Sequence, residues 1–307
     1  MITRASLSAL YTPIYDEFML ATYDEVSQVN TKVFKHVDDS TYQYIVDDLS
    51  GLGRWVSADE GASGGYEDPT LGYSKTYTQG KYWKKLQVSF EAVDWDEYAL
   101  LKKEGDAREM GRGARDLIEY STATIFNDGF ATAGPDGQYL WDNDHPANRD
   151  ETTNYRDNLL SGALSHDNLE TAEKQIADEF MTLAGIPIAV TQKPILLVPP
   201  ALIGTAMRIV SDRASDERPG TTNRDINVLA GKYIPVEWLY LSAANGGSDT
   251  AWYIIFPWLE HLKVVWTARP HFTSWVDEDS EYYKFKGRML AAFGVDNWRA
   301  GFASTGA

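Results

Sequence analysis

The chain contains no cysteine. That absence excludes disulfide frameworks, thiolate metal centres and cysteine nucleophiles, and it fits a reducing cytosol. No run of eighteen apolar residues occurs, so no membrane-spanning helix is expected. The opening "MITRASLSALYTPIYDEFMLATYDEV" places acidic residues where a signal peptide needs an unbroken apolar core. Neither a secreted nor an integral membrane protein is expected. Positive charge is also scarce: 28 Lys and Arg stand against 45 Asp and Glu, a net charge of −17. Nucleic-acid binders gain affinity by neutralising phosphates with Lys and Arg, so a DNA-gripping role is disfavoured. A protein that merely borders nucleic acid can be this acidic.

The motifs of several enzyme classes are missing too. There is no glycine-rich phosphate loop, no GxGxxG after a strand and no HExxH. Gly61-Ala62-Ser63-Gly64-Gly65 matches the nucleophile-elbow pattern in letters only. "VSADE" before it is not a buried strand, and "YEDPTLG" after it is not a helix. In "WDNDHP", Asp142, Asp144 and His145 lie close enough in sequence to hold a hard cation, but no further ligand follows at a motif spacing. His36 and His166 have no recognisable partner, and His261 and His271 sit in strand-like aromatic surroundings that suggest packing. No catalytic residue, metal site or cofactor is expected.

What is present is a core. Hydrophobic residues make up 43% and aromatics 13% of 307 residues, enough for one large domain or two ordinary ones. Leu7, Leu10, Ile14, Phe18 and Ala21 fall at helical spacing in an N-terminal arm, interrupted by Pro13. "EGASGGYEDPTLGYSKTYTQGKYWKK" (residues 60–85) is glycine-hinged and aromatic, with almost nothing aliphatic to bury. Tyr73, Lys75 and Tyr77 alternate before Gln79-Gly80; Leu86, Val88, Phe90 and Ala92 alternate after it. This predicts a long two-stranded hairpin. Tyr66, Tyr73, Tyr77, Tyr82 and Trp83 would then be contact residues for another subunit.

A long helix is predicted from about Trp95 to Phe126, with Ala114, Leu117, Ile118, Ser121, Thr122 and Ile125 as its inward stripe. Gly105, Gly111 and Gly113 each cost about 1 kcal/mol there against alanine, which implies two helices or one that bends. Arg108, Arg112 and Arg115 recur at spacings of four and three and make one basic face. That face either pairs with Asp106, Glu109 and Asp116 or meets another subunit or a phosphate. A second helix is expected from Asp167 to Leu183, capped by Asp167 and Glu170. Short strands and a polar loop (Arg213 to Asn223) precede a β-rich last third. The composite is an α+β fold.

The order of these parts resembles the Hong Kong 97-type fold of tailed-phage major capsid proteins, and within it the Mu-like major head subunits. The resemblance is carried by "FNDGFATAGPDGQYLWDNDHP", "NLLSGALSHDNLETAEKQI", "GIPIAVTQKPILLVPPALIGTAMRIVSD", "GKYIPVEWLYLS" and "KFKGRMLAAFGVDNWRAGFAS", in that order. It implies an N-terminal arm (1–56), an extended loop (57–93), a peripheral domain with a spine helix (94–154), an axial domain (155–255) and closing peripheral strands (256–307). It implies a shell subunit that self-associates as pentamers and hexamers in a virion capsid assembled in the host cytoplasm. The implied partners are scaffolding, portal and possible decoration proteins, with DNA enclosed but not specifically bound and no membrane. No long N-terminal scaffolding segment is expected. Some relatives form lysine–asparagine isopeptide crosslinks; Lys75, Lys81, Lys84 and Lys85 lie near the loop, yet no acceptor or catalytic acid is assignable and no crosslink is expected. The competing readings are an encapsulin compartment, a carbohydrate-active enzyme suggested by ten tryptophans, and a tail or baseplate protein.

Overall fold

The computed structural model describes residues 23, 28–49, 53–61, 65–66, 68–69, 71–91, 95, 105–211, 227–277 and 279–307. The helical spacing expected in 7–21, most of the predicted helix before Gly105 and the polar loop from Arg213 to Asn223 lie outside these residues. In chain order the elements are α1 (Asn30–Val33), β1 (Lys35–Asp38), β2 (Gln43–Leu49), β3 (Leu71–Thr78), β4 (Gly80–Ser89) and α2 (Gly105–Asn127). Next come β5 (His145–Asn148), β6 (Glu151–Arg156), β7 (Leu159–Leu160), α3 (His166–Glu179), β8 (Ile195–Val198) and α4 (Ile203–Val210). The chain closes with β9 (Ile234–Glu237), β10 (Trp252–Ile255), β11 (Leu262–Asp277), β12 (Tyr282–Val295) and β13 (Gly301–Ser304).

Runs without a polar position form the centre. "ILLV" and "WYII" become β8 and β10, buried at every residue, as strands covered on both faces must be. They lie in a five-stranded sheet ordered β7-β13-β10-β8-β9. Alternate side chains point to opposite faces. Ile195, Leu197, Tyr253 and Ile255 therefore pack with Ile118, Ala123 and Phe126 of α2. Leu196, Val198, Trp252 and Ile254 pack with Leu169, Ala172 and Ile176 of α3 and Ala206 and Ile209 of α4. Phe126 is the ring where the first layer converges, with Phe34, Trp141, Trp238 and Tyr253 centred 5.5–6.0 Å away.

A second sheet is ordered β1-β11-β12-β4. One of its faces sets Phe272 and Phe285 against Met110 of α2, with Leu86 and Val88 beside them. α2 thus lies against both sheets and orders the molecule around itself.

The predicted hairpin is corrected. β3 pairs with β2, and β4 pairs with β12; β3 and β4 are not partners. A two-residue hairpin turn requires positive φ at its central positions, and neither Gln79 nor Gly80 has it. The chain runs straight on, from a ribbon into a sheet. The antiparallel ribbon is therefore β2–β3, whose strands are joined by residues 50–70, and 80–89 belongs to the four-stranded sheet. The second helix is capped by Ser165, whose side chain accepts from the Asn168 amide at 3.2 Å, and it ends at Glu179. Asp167 and Glu170 do not form the expected box.

Truncating Phe126→Ala is expected to cost about 3–5 kcal/mol, the range for a fully buried aromatic. Urea unfolding of the unassembled subunit measures it.

Candidate functional site

His166, expected to lack a partner, has its Nε2 3.2 Å from Asn227 Oδ1, and a nitrogen of its ring and the carboxylates of Asp167 and Glu170 lie within 4.8 Å of one another at the start of α3. His145 is fully buried, its Nδ1 lies 2.6 Å from Asp136 Oδ2 and its Nε2 lies 3.2 Å from Asn158 Oδ1. Its ring stacks on Trp298 at 4.8 Å. Asn158 also donates to the carbonyls of Leu140, Trp298 and Gly301, so this group staples the 131–141 turn to the start of β13. Asp142 and Asp144 do not join His145 around a common point: Asp142 accepts from the Asn143 amide, and Asp144 is exposed. Ser63 lies outside the described residues, and no strand enters its loop from residues 53–61. Of the ten tryptophans, Trp141, Trp238, Trp252, Trp266 and Trp298 are core, while Trp55, Trp83, Trp95 and Trp275 are exposed. A cleft of about 350 Å³ between α2 and the four-stranded sheet is lined mainly by apolar side chains, among them Tyr82, Met110, Leu117 and Met289.

The functional surfaces are instead those that the chain leaves uncovered. The ribbon is anchored at one end by Tyr77, which is buried against Val265 and Ala292 with its hydroxyl donating to Asp296. Lys263 pairs with the same carboxylate; toward the other end of the ribbon, Asn297 Nδ2 donates to Asp48 Oδ2 at 2.6 Å and a Cβ on Gly72 would stand 2.8 Å from Leu183, so the ribbon is held along its length. Gly294 permits the approach, since a Cβ there would stand 2.8 Å from the Tyr77 ring. Tyr77 is thus an internal anchor, which corrects its assignment as a residue awaiting a neighbour: the ribbon needs a fixed root, and burial supplies it. Tyr73 and Tyr82 are half-buried, Tyr82 against Phe293. Trp83 stays 54% exposed, and Trp55 and Tyr66 are bare to solvent.

The arginine row divides. Arg112 is exposed and pairs with Glu109 at 2.8 Å; Arg108 is half-buried. Arg115 is buried with Glu119, 3.2 Å away, and donates to Asn30 Oδ1 at 3.2 Å. The Asn30 amide donates to the Glu119 carboxylate in turn. Arg115 is therefore no part of a basic face; it ties α1, and with it the N-terminal segment, to the long helix. Glu119, the partner that residue spacing does give at i+4, was missing from the acids expected to answer this row. His36 also finds a partner, accepting from the Trp266 indole at 3.0 Å across β1 and β11. Gly111 and Gly113 lie within an unbroken helix, and Gly105 is where its described part starts. At Gly113 the nearest atom to an added Cβ would be Lys84 Nζ at 3.8 Å, so packing does not demand glycine there.

Residues 72–304 match the family model described as phage capsid protein. The chain belongs to that family. No curated protein shows significant similarity to it. Among solved structures, the mature capsid of bacteriophage PhiM1 superposes with a TM-score of 0.57 at 14% identity, covering 91% of this chain and 87% of that one. The procapsid of bacteriophage JBD30 gives 0.54 at 17% identity over 99% and 76%. The virus-like particle from Pyrococcus furiosus gives 0.53 at 12% identity over 96% and 99%. At such identities the likeness is one of fold, and it bears out the Hong Kong 97-type α+β architecture expected from the order of elements. In this capsid protein, then, the ribbon, the long helix and the sheets are parts of a shell-building fold.

Two measurements test these anchors. Glu119→Ala strands a buried guanidinium and is expected to lose ~3–5 kcal/mol, whereas Arg115→Met with Glu119→Leu removes both charges and loses much less. The comparison is read from unfolding midpoints. Burial, reinforced by Arg269 and Arg115, pushes the His36 ring down to about 4 from 6.5. The unfolded chain then binds the extra proton between these values, so this contribution is whole above pH 6.5 and fades as pH falls toward 4. His36→Gln should flatten the fall in thermal midpoint between pH 7 and 5.

Proposed function

We propose that this chain is the major capsid subunit that self-assembles, as pentamers and hexamers, into the icosahedral shell around the double-stranded DNA of a tailed phage. The observation that carries this reading is the family match across 72–304 together with Trp55 and Tyr66, which no described residue of the chain covers. Exposed aromatics on an otherwise well-anchored element mark a surface that a partner covers. The role is structural, and its place is the virion capsid after assembly in the host cytoplasm. Net acidity suits a wall that encloses DNA without adhering to it. Scaffolding, portal and possible decoration proteins complete the set of partners.

The 1–56 arm, the ribbon tip, the peripheral domain built on α2 and the four-stranded sheet, and an axial domain within 155–255 are the working parts. Within the family, the order of segments from 126 to 304 favours the Mu-like head subunits. Gly105, Gly111 and Gly113 let the long helix bend in an immature shell and straighten on expansion, a reading supported by the room for a side chain at Gly113. Tyr66, Tyr73, Tyr82 and Trp83 offer contact area to neighbours, and Arg108 and Arg112 lie on the helix where a further contact can form. A compartment shell holding protein cargo is the second reading, favoured by the fold shared with the virus-like particle from Pyrococcus furiosus.

Negative-stain microscopy of the purified chain is expected to show closed particles or capsomer rings; a stable lone monomer refutes the proposal. Replacing residues 54–69 by a short turn should leave the thermal midpoint unchanged and abolish closed shells.

A further inference from the structure

The start of α3 holds a histidine that the fold leaves half used. His166, the first residue of the helix, has only 8% of its side chain exposed. Its Nε2 lies 3.2 Å from Asn227 Oδ1. The direction of that hydrogen bond is fixed by what else Asn227 does. Its Nδ2 donates to the carbonyls of Ile209 and Ser211, at 2.8 and 2.9 Å, and its Oδ1 accepts from the Leu229 amide at 3.0 Å. Both amide hydrogens are used, so an acceptor faces the ring and Nε2 must carry the proton. In the neutral ring Nδ1 is then a bare lone pair. It is buried and has no hydrogen-bond partner.

What Nδ1 faces is acidic. Glu170 Oε1 stands 3.4 Å from it, one helical turn on, and a carboxylate oxygen of Asp167 completes a group of three ligand atoms within 4.8 Å of one another. A lone pair set against carboxylates is repulsive until something positive lies between them. Acids in a first turn suit the helix N-terminus, which explains Asp167 and Glu170 although they form no capping box; it does not explain the histidine. We infer that His166 Nδ1, Asp167 and Glu170 bind one divalent transition-metal ion of the zinc class, with water on the open side.

The spacing suits such an ion. Zinc holds imidazole nitrogen and carboxylate oxygen at about 2.0–2.2 Å in a tetrahedron, so neighbouring ligand atoms stand about 3.4 Å apart. His166 and Glu170 already have that separation, and Asp167, exposed at the helix surface, closes the remainder by turning its side chain. Positions i and i+4 on one helix face are those from which paired ligands of helical zinc sites converge. The positive end of the helix opposes a cation, but it amounts to about half a charge and the site holds two carboxylates. An imidazole in the set selects against Mg2+ and Ca2+, which prefer oxygen alone. Asn227 holds the non-ligating nitrogen, as outer-shell partners do in histidine metal sites. Through it the ion joins the start of α3 to the end of α4, two helices that cover the same face of the five-stranded sheet. The rival occupant is a proton, which turns the ring into an imidazolium paired with Glu170.

The test is zinc uptake by the full chain, stripped with chelator and then dialysed free of it. Titration calorimetry with ZnCl2 is expected to show one strong site per chain, and zinc should raise the thermal midpoint. Glu170→Gln and His166→Gln should each weaken that site by roughly tenfold or more and remove most of the midpoint rise. MgCl2 should bind roughly tenfold or more weakly than ZnCl2. If His166→Gln does not fold, Glu170→Gln and Asp167→Asn, on side chains that reach solvent, carry the comparison. No strong site, or a site indifferent to these substitutions, overturns the inference and leaves the proton as occupant. Binding of Mg2+ as tight as that of Zn2+ overturns it too. The readout is per folded chain, so it stands whether or not shells form.

Discussion

The fold depends on the contact of one helix with two sheets. Phe126, Ile118 and Ala123 of α2 close one face of the five-stranded sheet, while Met110, two turns and more upstream, closes the inner face of the four-stranded sheet. A buried aromatic ring with four aromatic neighbours contributes both area and edge-to-face geometry. The same buried cluster takes in Val264, Trp266, Met289 and Ala291 of the four-stranded sheet, so helix and both sheets close on one core. The position of every other part, including the ribbon root at Tyr77 and the N-terminal tie at Arg115, is defined relative to this helix.

The buried polar groups are placed where separate segments must meet. Arg115 with Glu119 fixes α1 on the helix, Asp296 gathers Tyr77 and Lys263 at the ribbon's root, and His145 with Asn158 joins a turn to β13. Each satisfies backbone or side-chain donors that burial would otherwise leave stranded. Such networks add little net stability against apolar packing but select one arrangement of long-range segments. A shell subunit that must present the same surfaces in every copy needs that selection.

Much of this was legible from residue pattern. The helical stripe ending at Ile125, the second helix beginning near Asp167 and the β-rich last third appear where periodicity puts them. The failures share a cause. Strand pairing is a long-range property, and alternation in 73–77 and 86–92 says that both are strands without saying which strand each meets. Tyr77 looked like surface because its cover, Val265 and Ala292, lies about two hundred residues away. Arg115 looked like one of three equivalent cations because the burial of a helix face by α1 has no local signature. Among the surfaces, the exposed rings of Trp55 and Tyr66 stand in a stretch with almost nothing aliphatic to cover them, which the sequence shows directly.

The nearly unbroken course from Leu71 to Ser89 has a mechanical consequence. Its first part belongs to the ribbon and its second is hydrogen-bonded to β12 over ten residue pairs. A pull on the ribbon is directed along the strand, perpendicular to those hydrogen bonds. The bonds are then loaded together in shear instead of being unzipped one after another. Tension arriving at the ribbon would be shared across a whole strand before any one bond gave way, as a lap joint spreads stress over its length.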